Sequence, residues 1–458
     1  MSMDHIVQKY ANNKVMDKEV IRNMDIYGTI RKEIEAIPII DDHSHVVHHN
    51  IGPQNWEGPY PVLPLARLLL DFNTLSCFAG FSMTEEQAQD ILLGHLPQEE
   101  QKRLLVAPHV KNRSVYCFLM RGLRETYGLD VWEINEDNFD TVNNALTGSW
   151  DNYYELLDKI FTHGNVKCSV LNLWANVGYS YMTSYCQRLT ETEKALDKKY
   201  FVFSSTVGYY AIPPFGTLAE SYARDFGMKL DTLADYGELI KQICRWSVKE
   251  RGACAFKNTE MYFRRPDYRR RSYEEAAKSY KPERTHEDDI VLSDYVAYIV
   301  MGMAAELDVP VQIHTGSLWG EFAVENVGPE HLATVIKDFP NTKFVLLHGG
   351  DPFYGTMALM GALFPNVYVN MSVMPNMSYD DFRYWLGVFL DRVPSKKITL
   401  GWDEFAPELV AGDIPYTRDV LAQVFADKIE KQQYNMDLAM EIAHDIMHRS
   451  AEDLYRIP

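Results

Sequence analysis

Two histidines stand two positions apart at the end of an apolar run, in the segment Ile39-Ile40-Asp41-Asp42-His43-Ser44-His45. On an extended chain, residues i and i+2 point to the same face, so the imidazoles of His43 and His45 can reach one metal ion. A histidine pair of this kind also arises by chance in loops. The pair therefore indicates a metal site only if other ligands join it.

Three later apolar runs also end in residues that bind metals. The segments VQIHTG, FVLLHGG and TLGWDE contain His314, His348 and Asp403, respectively. One histidine of this kind would more often be a hydrogen-bonded core residue. Three strand ends that repeat the pattern beside His43 and His45 favour a shared metal centre, because barrel active sites are built at the C-terminal ends of strands.

Eight short apolar runs, rich in β-branched and aromatic residues, provide the strands that must position these ligands. Runs without polar alternation are typical of strands buried on both faces of a parallel sheet. From the fourth run onward, the intervening segments have a helical period, as in Asp288–Asp308 and Pro329–Phe339. This alternation predicts an α/β fold, specifically a (β/α)8 TIM barrel. The predicted strands are Ile37–Asp41, Lys167–Leu173, Tyr200–Thr206, Gly252–Lys257, Pro310–His314, Lys343–His348, Val367–Ser372 and Lys397–Gly401.

A long insertion separates the first and second runs. Residues 53–165 are largely helical in pattern, and Thr84 followed by acidic residues and Gln87 is typical of a helix N-terminus. We predict a helical cap here, inserted beside the mouth of the barrel. The length of 458 residues allows about three domains. Because ligands spread from His43 to Asp403 must meet at one point, we predict a single barrel domain over residues 1–458.

The composition restricts the partners. The chain holds 45 Lys and Arg against 64 Asp and Glu, a net charge of −19, which argues against nucleic acid because phosphate binding needs a basic surface. The six cysteines form no CxxC pair and are typical of reduced thiols. The N-terminus lacks the apolar segment of a signal peptide, and the stretch around Val296–Ala305 is shorter than the ~20 residues that span a bilayer. We therefore expect a soluble cytoplasmic protein with no membrane partner.

The motifs DDHSH, QIHTG, KFVLLHGG, PNVYVNMS and GWDEFAPE occur in this order along the chain. In these motifs the chain resembles the amidohydrolase superfamily of metal-dependent (β/α)8 barrels. More narrowly, it resembles the amidohydrolase-related group, which contains hydrolases and decarboxylases. The resemblance implies that His43, His45, His314 and Asp403 bind a divalent metal. It implies zinc most often, with Mn²⁺ or Fe²⁺ as alternatives, since imidazole and carboxylate ligands suit all three ions.

The resemblance also implies roles for individual residues. Asp403 would take a proton from metal-activated water, and His348 would either bind a second metal or act as an acid that polarises the substrate. Lys257 sets the number of metals, because binuclear relatives carry a carbamylated lysine at the end of strand four. In the amidohydrolase-related group this lysine is followed by a motif with Tyr and Arg, as here by Tyr262 and Arg264. We therefore favour one metal, with an uncarbamylated Lys257 near the substrate and open to an acid–base role.

Five arginines between positions 264 and 271 give the chain its densest positive charge. A run of this kind is often a solvated face. In a chain of net charge −19, however, it could draw an anionic substrate to the mouth of the barrel. Our hypothesis is that Arg264 or Arg265 grips a substrate carboxylate in bidentate fashion, with Tyr262 also in the substrate site.

The leading functional hypothesis is hydrolysis of a small, carboxylate-bearing substrate by metal-activated water. The alternative is non-oxidative decarboxylation, in which the metal and the arginines hold the carboxylate. Uronate isomerisation is a third option, favoured by the insertion and the arginine-rich loop but disfavoured by His314 as a ligand. A non-catalytic barrel that binds a metabolite is the remaining class. The expected partner is a small molecule, and because such barrels are often dimers or larger, a homo-oligomer is a further expectation.

Overall fold

The computed structural model describes residues 25–46, 58–70, 83–106, 111–150, 152–172, 199–316 and 326–458. Within these ranges, eight parallel strands form one sheet in which each strand pairs with the next along the chain. The predicted (β/α)8 fold and its eight strands are confirmed. The strands are β1 Ile39–Ser44, β2 Val166–Asn172, β3 Phe201–Thr206, β4 Ala255–Asn258, β5 Val311–Ile313, β6 Phe344–Leu346, β7 Val367–Asn370 and β8 Ile398–Thr399.

Backbone hydrogen bonds between the first and last strands close the barrel. Asp42 N donates to Leu400 O, and Asp403 N donates to His43 O, both at 2.9 Å. These bonds continue past the end of β8 and therefore tie the upper rim together. As a result, β1 continues through polar residues to Ser44, beyond the predicted end at Asp41.

Helices surround the sheet, and several begin with a side-chain cap. Three of these caps are reciprocal, at Thr232, Ser272 and Thr285. In each, the hydroxyl accepts from the backbone N–H three residues later, and the carboxylate of that later residue accepts from the backbone N–H of the capping residue. Both bonds satisfy backbone donors that the start of a helix leaves unpaired. The α-helices are α1 Ile26–Ala36, α2 Pro64–Leu69, α3 Glu85–Leu92, α4 Gln98–Leu105, α5 Ser114–Tyr127, α6 Phe139–Trp150, α7 Tyr153–Gly164, α8 Thr217–Asp225, α9 Leu233–Lys249, α10 Tyr273–Ser279, α11 His286–Leu307, α12 Ala333–Asp338, α13 Tyr354–Leu363, α14 Met374–Met377, α15 Tyr379–Arg392, α16 Pro407–Glu430, α17 Met436–His444 and α18 Ser450–Tyr455. Shorter helical segments are Glu260–Tyr262, Pro329–Leu332, His348–Gly350, Ser395–Lys397 and Asp445–Arg449.

The described residues between β1 and β2 are largely helical, as their pattern predicts. Helices α2 to α7 lie there, and α3 begins with the expected cap: Thr84 Oγ1 accepts from Gln87 N at 3.1 Å. Most of these helices share a second apolar core, which Leu409 of α16 joins. Helices α5 and α16 approach so closely that a methyl group on Gly122 would overlap the carbonyl oxygen of Glu408. That this unit caps the barrel mouth, and that the chain is one domain, stay predictions.

The far end of the barrel is filled from the last helix. Tyr455 of α18 lies inside an apolar cluster with Ile40 of β1 and Val345 of β6. Its hydroxyl lies 3.3 Å from Asp42 Oδ2 and accepts from Gln312 Nε2 at 3.0 Å. The opposite end, where the strands finish, therefore holds the polar site.

Helix α11 is long and apolar enough to cross a membrane, as judged by length and composition alone. The shorter stretch singled out from the sequence, Val296–Ala305, lies within it. The helix packs against α9 on the outside of the barrel, and 56% of its most apolar window is buried inside the fold. Its apolar character is therefore accounted for by packing between the sheet and its neighbouring helices.

Candidate metal centre

Strands β1 and β8 bring the predicted histidine pair onto one carboxylate. The Nε2 atoms of His43 and His45 each lie 3.1 Å from Asp403 Oδ1. The backbone bond from Asp403 N to His43 O fixes this neighbourhood. All three residues are at least 94% buried, with exposures of 1%, 6% and 6%. The structure thus brings three of the four predicted metal ligands to a single point.

The hydrogen bonding of His45 tests whether this point suits a metal. His45 Nδ1 lies 2.7 Å from the backbone oxygen of Asn172, which can only accept, so Nδ1 carries a hydrogen. A neutral His45 therefore turns the lone pair of Nε2 towards Asp403, and a stacked Phe405 ring holds that orientation at a centroid distance of 4.9 Å. A proton on one imidazole would satisfy only one of the two contacts to Asp403 Oδ1. A shared cation satisfies both, so these residues fit a metal.

The fourth predicted ligand stands beside His348. His314 Nδ1 lies 3.1 Å from His348 Nε2, and His348 Nδ1 lies 4.0 Å from Asp403 Oδ2. His314 lines the same pocket as His43 and Asp403. Ligand atoms of His43, His348 and Asp403 also lie within 4.8 Å of one another. All the histidines predicted for the site therefore meet there.

Three residues at the strand ends adopt left-handed backbone conformations. The φ angles of His348, Val373 and Asp403 are 65°, 67° and 63°. Left-handed conformations cost non-glycine residues of the order of 1 kcal/mol or more, and they persist where the surroundings determine them. Two of the three, His348 and Asp403, carry side chains of the site, so the backbone turns sharply at the positions from which these side chains enter it.

Lys257 is buried at the end of β4, against the same imidazole. Its Nζ lies 3.1 Å from His43 Nε2 and is the donor in that contact. Burial lowers the pKa of this amine to about 7, although the charge of Asp403 opposes the shift. Lys257 is therefore placed to contact whatever binds between His43 and Asp403, and it can change its charge near neutral pH.

The other titratable groups are held in the protonation states that metal binding needs. Burial alone would raise the pKa of Asp403, but the neighbouring imidazoles of His43 and His348 hold it well below its usual range. Burial and the charge of Lys257 lower the pKa of His43 to about 3. Burial and His314 likewise lower the pKa of His348. The site thus presents an ionised carboxylate and neutral imidazoles.

The predicted substrate residues divide into two groups. The ring of Tyr262 packs on His314 at a centroid distance of 4.7 Å and lines the metal pocket. The structure does not bring Arg264 there: its side chain is 3% exposed and donates to Asp294 Oδ1 at 2.8 Å. The side chain of Arg265 is 49% exposed and pairs with Asp267 at 3.3 Å. Both arginines line a separate cavity of about 430 Å³.

Sequence reasoning missed several residues that line or support the site. Asn172 ends β2 and supplies the carbonyl that orients His45, while Phe405 stacks on that ring. Asn370 and Ser372 lie at the end of β7 and contact His348. The only available signal was position, because each residue follows a buried strand as the predicted ligands do. Their types are too common to stand out in one sequence.

Comparison with known proteins agrees with this geometry. The amidohydrolase family model matches residues 245–457, which contain β4 to β8. Protein fluG of Emericella nidulans is 27% identical over 449 residues, covering 95% of this chain and 47% of that protein. The chain thus spans about half the length of this curated relative.

Two solved structures share the fold across nearly the whole chain. A uronate isomerase from Thermotoga maritima aligns with a TM-score of 0.72 at 15% identity, covering 97% of this chain and 100% of the other. A protein from Lactobacillus casei ATCC 334, described as a metal-dependent hydrolase, aligns with a TM-score of 0.62 at 17% identity, covering 93% and 97%. The predicted resemblance is therefore confirmed: the amidohydrolase family model matches residues 245–457, and the chain as a whole has the (β/α)8 fold of these solved structures.

Proposed function

We propose that this protein is a metal-dependent hydrolase that acts on a small, carboxylate-bearing substrate. The observation that carries the proposal is the meeting of two imidazole Nε2 atoms at one carboxylate oxygen, each at 3.1 Å. Because His45 Nδ1 donates its hydrogen to the backbone oxygen of Asn172, a shared positive charge between the two Nε2 atoms and the carboxylate oxygen accounts for both contacts. The match of residues 245–457 to the amidohydrolase family model supports the same assignment.

His43, His45, His314 and Asp403 would hold one divalent metal, for which we propose Zn²⁺, with Mn²⁺ or Fe²⁺ as alternatives. Nitrogen ligands with one carboxylate suit these ions better than Mg²⁺ or Ca²⁺, which prefer oxygen. When bound, such an ion supplies Lewis-acid polarisation and lowers the pKa of a coordinated water. A second metal would require a carbamylated Lys257. The contact from Lys257 Nζ to His43 Nε2 favours the free amine.

Asp403 would receive the proton of the attacking water. Its Oδ1 faces the two imidazoles, while Oδ2 lies towards His348. A carboxylate whose pKa is held low is a weak base, so Asp403 can accept a proton only from a water that is already acidic. Lys257 can then donate a hydrogen bond to the developing oxyanion, and with a pKa of about 7 it can also protonate a leaving group.

For the substrate carboxylate we propose Arg265 rather than Arg264, with a substrate that extends from the metal pocket to the separate cavity that both arginines line. The guanidinium of Arg264 is already bound by Asp294, Ser293 and the backbone oxygen of Ile290. The side chain of Arg265 is half-exposed, and its ion-pair partner, Asp267, also pairs with Arg269. Tyr262 would pack against the substrate beside His314, since its ring already lies on that imidazole.

Two other reactions compete with hydrolysis. Uronate isomerisation is favoured by the likeness to a uronate isomerase over 97% of this chain, which includes the helical insertion. Non-oxidative decarboxylation would use the same metal and the same carboxylate contact, with Lys257 as the proton donor. Both alternatives retain the metal centre, so they differ from hydrolysis only in what the site does to the substrate.

Metal analysis of the purified protein, followed by a substrate screen, tests the proposal. We expect about one equivalent of metal per chain and metal-dependent hydrolysis within a panel of lactones, carboxylated sugars and hydroxybenzoates. Release of CO₂ would replace hydrolase by lyase, and an aldose–ketose change would indicate an isomerase. A folded protein that takes up no divalent metal would overturn the assignment. We further propose a cytoplasmic location, which the packing of α11 against α9 on the outside of the barrel supports.

A further inference from the structure

A line of hydrogen bonds leads from inside the barrel to the metal centre, and it begins at Asn370. The backbone N–H groups of Ser372 and His348 both donate to Asn370 Oδ1, at 2.9 Å and 3.4 Å. Because an N–H can only donate, this atom must be the oxygen, and the amide orientation is determined. The amide nitrogen then donates to Asp42 Oδ1.

The next step passes through the hydroxyl of Ser372. This hydroxyl contacts two atoms, Asn370 Oδ1 and His348 Nδ1, and lies 2.9 Å from the latter. Asn370 Oδ1 cannot donate, so the hydroxyl hydrogen points to it. Ser372 Oγ is therefore the acceptor for His348, and the hydrogen of that neutral ring stands on Nδ1.

The tautomer of His348 determines that of His314. With its hydrogen on Nδ1, neutral His348 has a lone pair on Nε2, which lies 3.1 Å from His314 Nδ1. His314 must donate in this contact, so its Nδ1 carries the hydrogen. A neutral His314 then has its own lone pair on Nε2, and its ring lines the pocket with His43 and Asp403.

We propose that Asn370 and Ser372 are positioning residues that fix the tautomers of His348 and His314, so that Nε2 of His314 is presented as a metal ligand. This inference rests on the proposed metal centre and deepens it. His348 then serves as the link that aims His314. Its Nδ1 contacts Ser372 and its Nε2 contacts His314.

The first test removes the acceptor with Ser372→Ala. Both Ser372 and Ser247 are fully buried, and the hydroxyl of Ser247 lies 3.0 Å from that of Ser205, so Ser247→Ala is the matched control. We expect the Kd for Zn²⁺ to rise 10- to 100-fold in Ser372→Ala, as for other residues that orient metal-bound histidines. The control should keep the wild-type Kd. Equal affinities in wild type and Ser372→Ala would overturn the inference.

A double-mutant cycle separates positioning from a general effect on packing. If Ser372 acts through His314, the Ser372→Ala change should add little to the loss of Zn²⁺ affinity in His314→Ala. The visible spectrum of the Co²⁺-loaded protein should also change in Ser372→Ala, because the ligand set changes. Fully additive losses of affinity with an unchanged Co²⁺ spectrum would show that Ser372 supports the fold only, and the inference would be wrong.

Neutron diffraction on deuterated, metal-free wild-type crystals tests the inference without any variant. We expect deuterium on Nδ1 of His348 and His314, and on the Ser372 hydroxyl pointing to Asn370. A deuterium on His348 Nε2, or a Ser372 hydroxyl pointing to His348, would refute the assigned tautomers even if Ser372→Ala failed to fold. A wild-type protein with these tautomers but no affinity for metal would instead refute the proposed function alone.

Discussion

The contact between α5 and α16 provides a sharp test of how the helical insertion is attached. A methyl group on Gly122 would overlap the carbonyl oxygen of Glu408, lie 2.9 Å from its carbonyl carbon and lie 3.3 Å from Gly412 N. Ordinary contacts between carbon atoms begin at about 3.5 Å, so the carbonyl carbon alone requires the helices to separate by about 3.5 − 2.9 = 0.6 Å, and the nearer carbonyl oxygen requires more. These atoms belong to backbone, which cannot turn aside as a side chain can.

A separation of this size affects the contacts around the crossing. A gap of 0.5–1 Å forfeits about a quarter to a half of each dispersion contact, and overpacking in cores typically costs about 1–3 kcal/mol. We therefore expect Gly122→Ala to lower the free energy of unfolding by about 2–3 kcal/mol, towards the upper end of that range because backbone atoms are involved. Urea denaturation followed by circular dichroism measures this change.

Gly148→Ala is the matched control, because it makes the same change in helix α6. Nothing lies within 4 Å of a methyl group at Gly148. Alanine there should raise the free energy of unfolding by up to about 1 kcal/mol through helix propensity alone. If Gly122→Ala were as stable as Gly148→Ala, the close approach of α5 and α16 would be refuted.

Four further predictions concern the site and its surroundings. Asp403→Asn should retain less than about a tenth of the wild-type metal content by mass spectrometry, since it removes the negative charge of the carboxylate on which both imidazoles converge; full retention would contradict the proposed centre. In the metal-free protein, the pKa of Lys257 is lowered to about 7, so the unfolded chain binds more protons above this pH and stability should rise as pH increases from about 7 towards 10. Lys257→Met should abolish that rise in urea titrations, and an unchanged slope would count against the lowered pKa. Arg264→Ala should destabilise the fold by about 1–3 kcal/mol, because it removes one of the two guanidinium groups that pair with buried Asp294 and leaves that carboxylate to Arg271. Arg265→Ala should preserve stability and raise KM for a carboxylate-bearing substrate, and an unchanged KM would remove Arg265 from the substrate site.

The fold and the residues that meet at the candidate metal centre could be predicted from the sequence for a shared physical reason. Strands buried on both faces of a barrel are short apolar runs, and this pattern is legible without tertiary information. A ligand such as His314 is conspicuous because it interrupts the run at its end. The position of a ligand therefore follows directly from the position of its strand.

The supporting residues could not be predicted in the same way. Ser372 matters because its hydroxyl faces His348, and Asn172 matters through its backbone oxygen. Such roles depend on neighbours brought together from other strands. Arg264 shows the opposite case: its charge suggested a substrate contact, but a buried partner on a later helix, Asp294, occupies its guanidinium.

The left-handed conformations at His348, Val373 and Asp403 have a consequence for how this protein could be evolved or engineered. Each backbone conformation is one that its residue type disfavours, so each lowers the stability of the folded protein. Other interactions in the fold must offset this cost so that the side chains of His348 and Asp403 point into the site. Selection for thermostability alone would favour glycine or asparagine at these positions, because both residues adopt positive φ angles at a lower energetic cost. The same substitutions would remove His348 or Asp403, so the variants that best survive heating would include chains that have lost their chemistry.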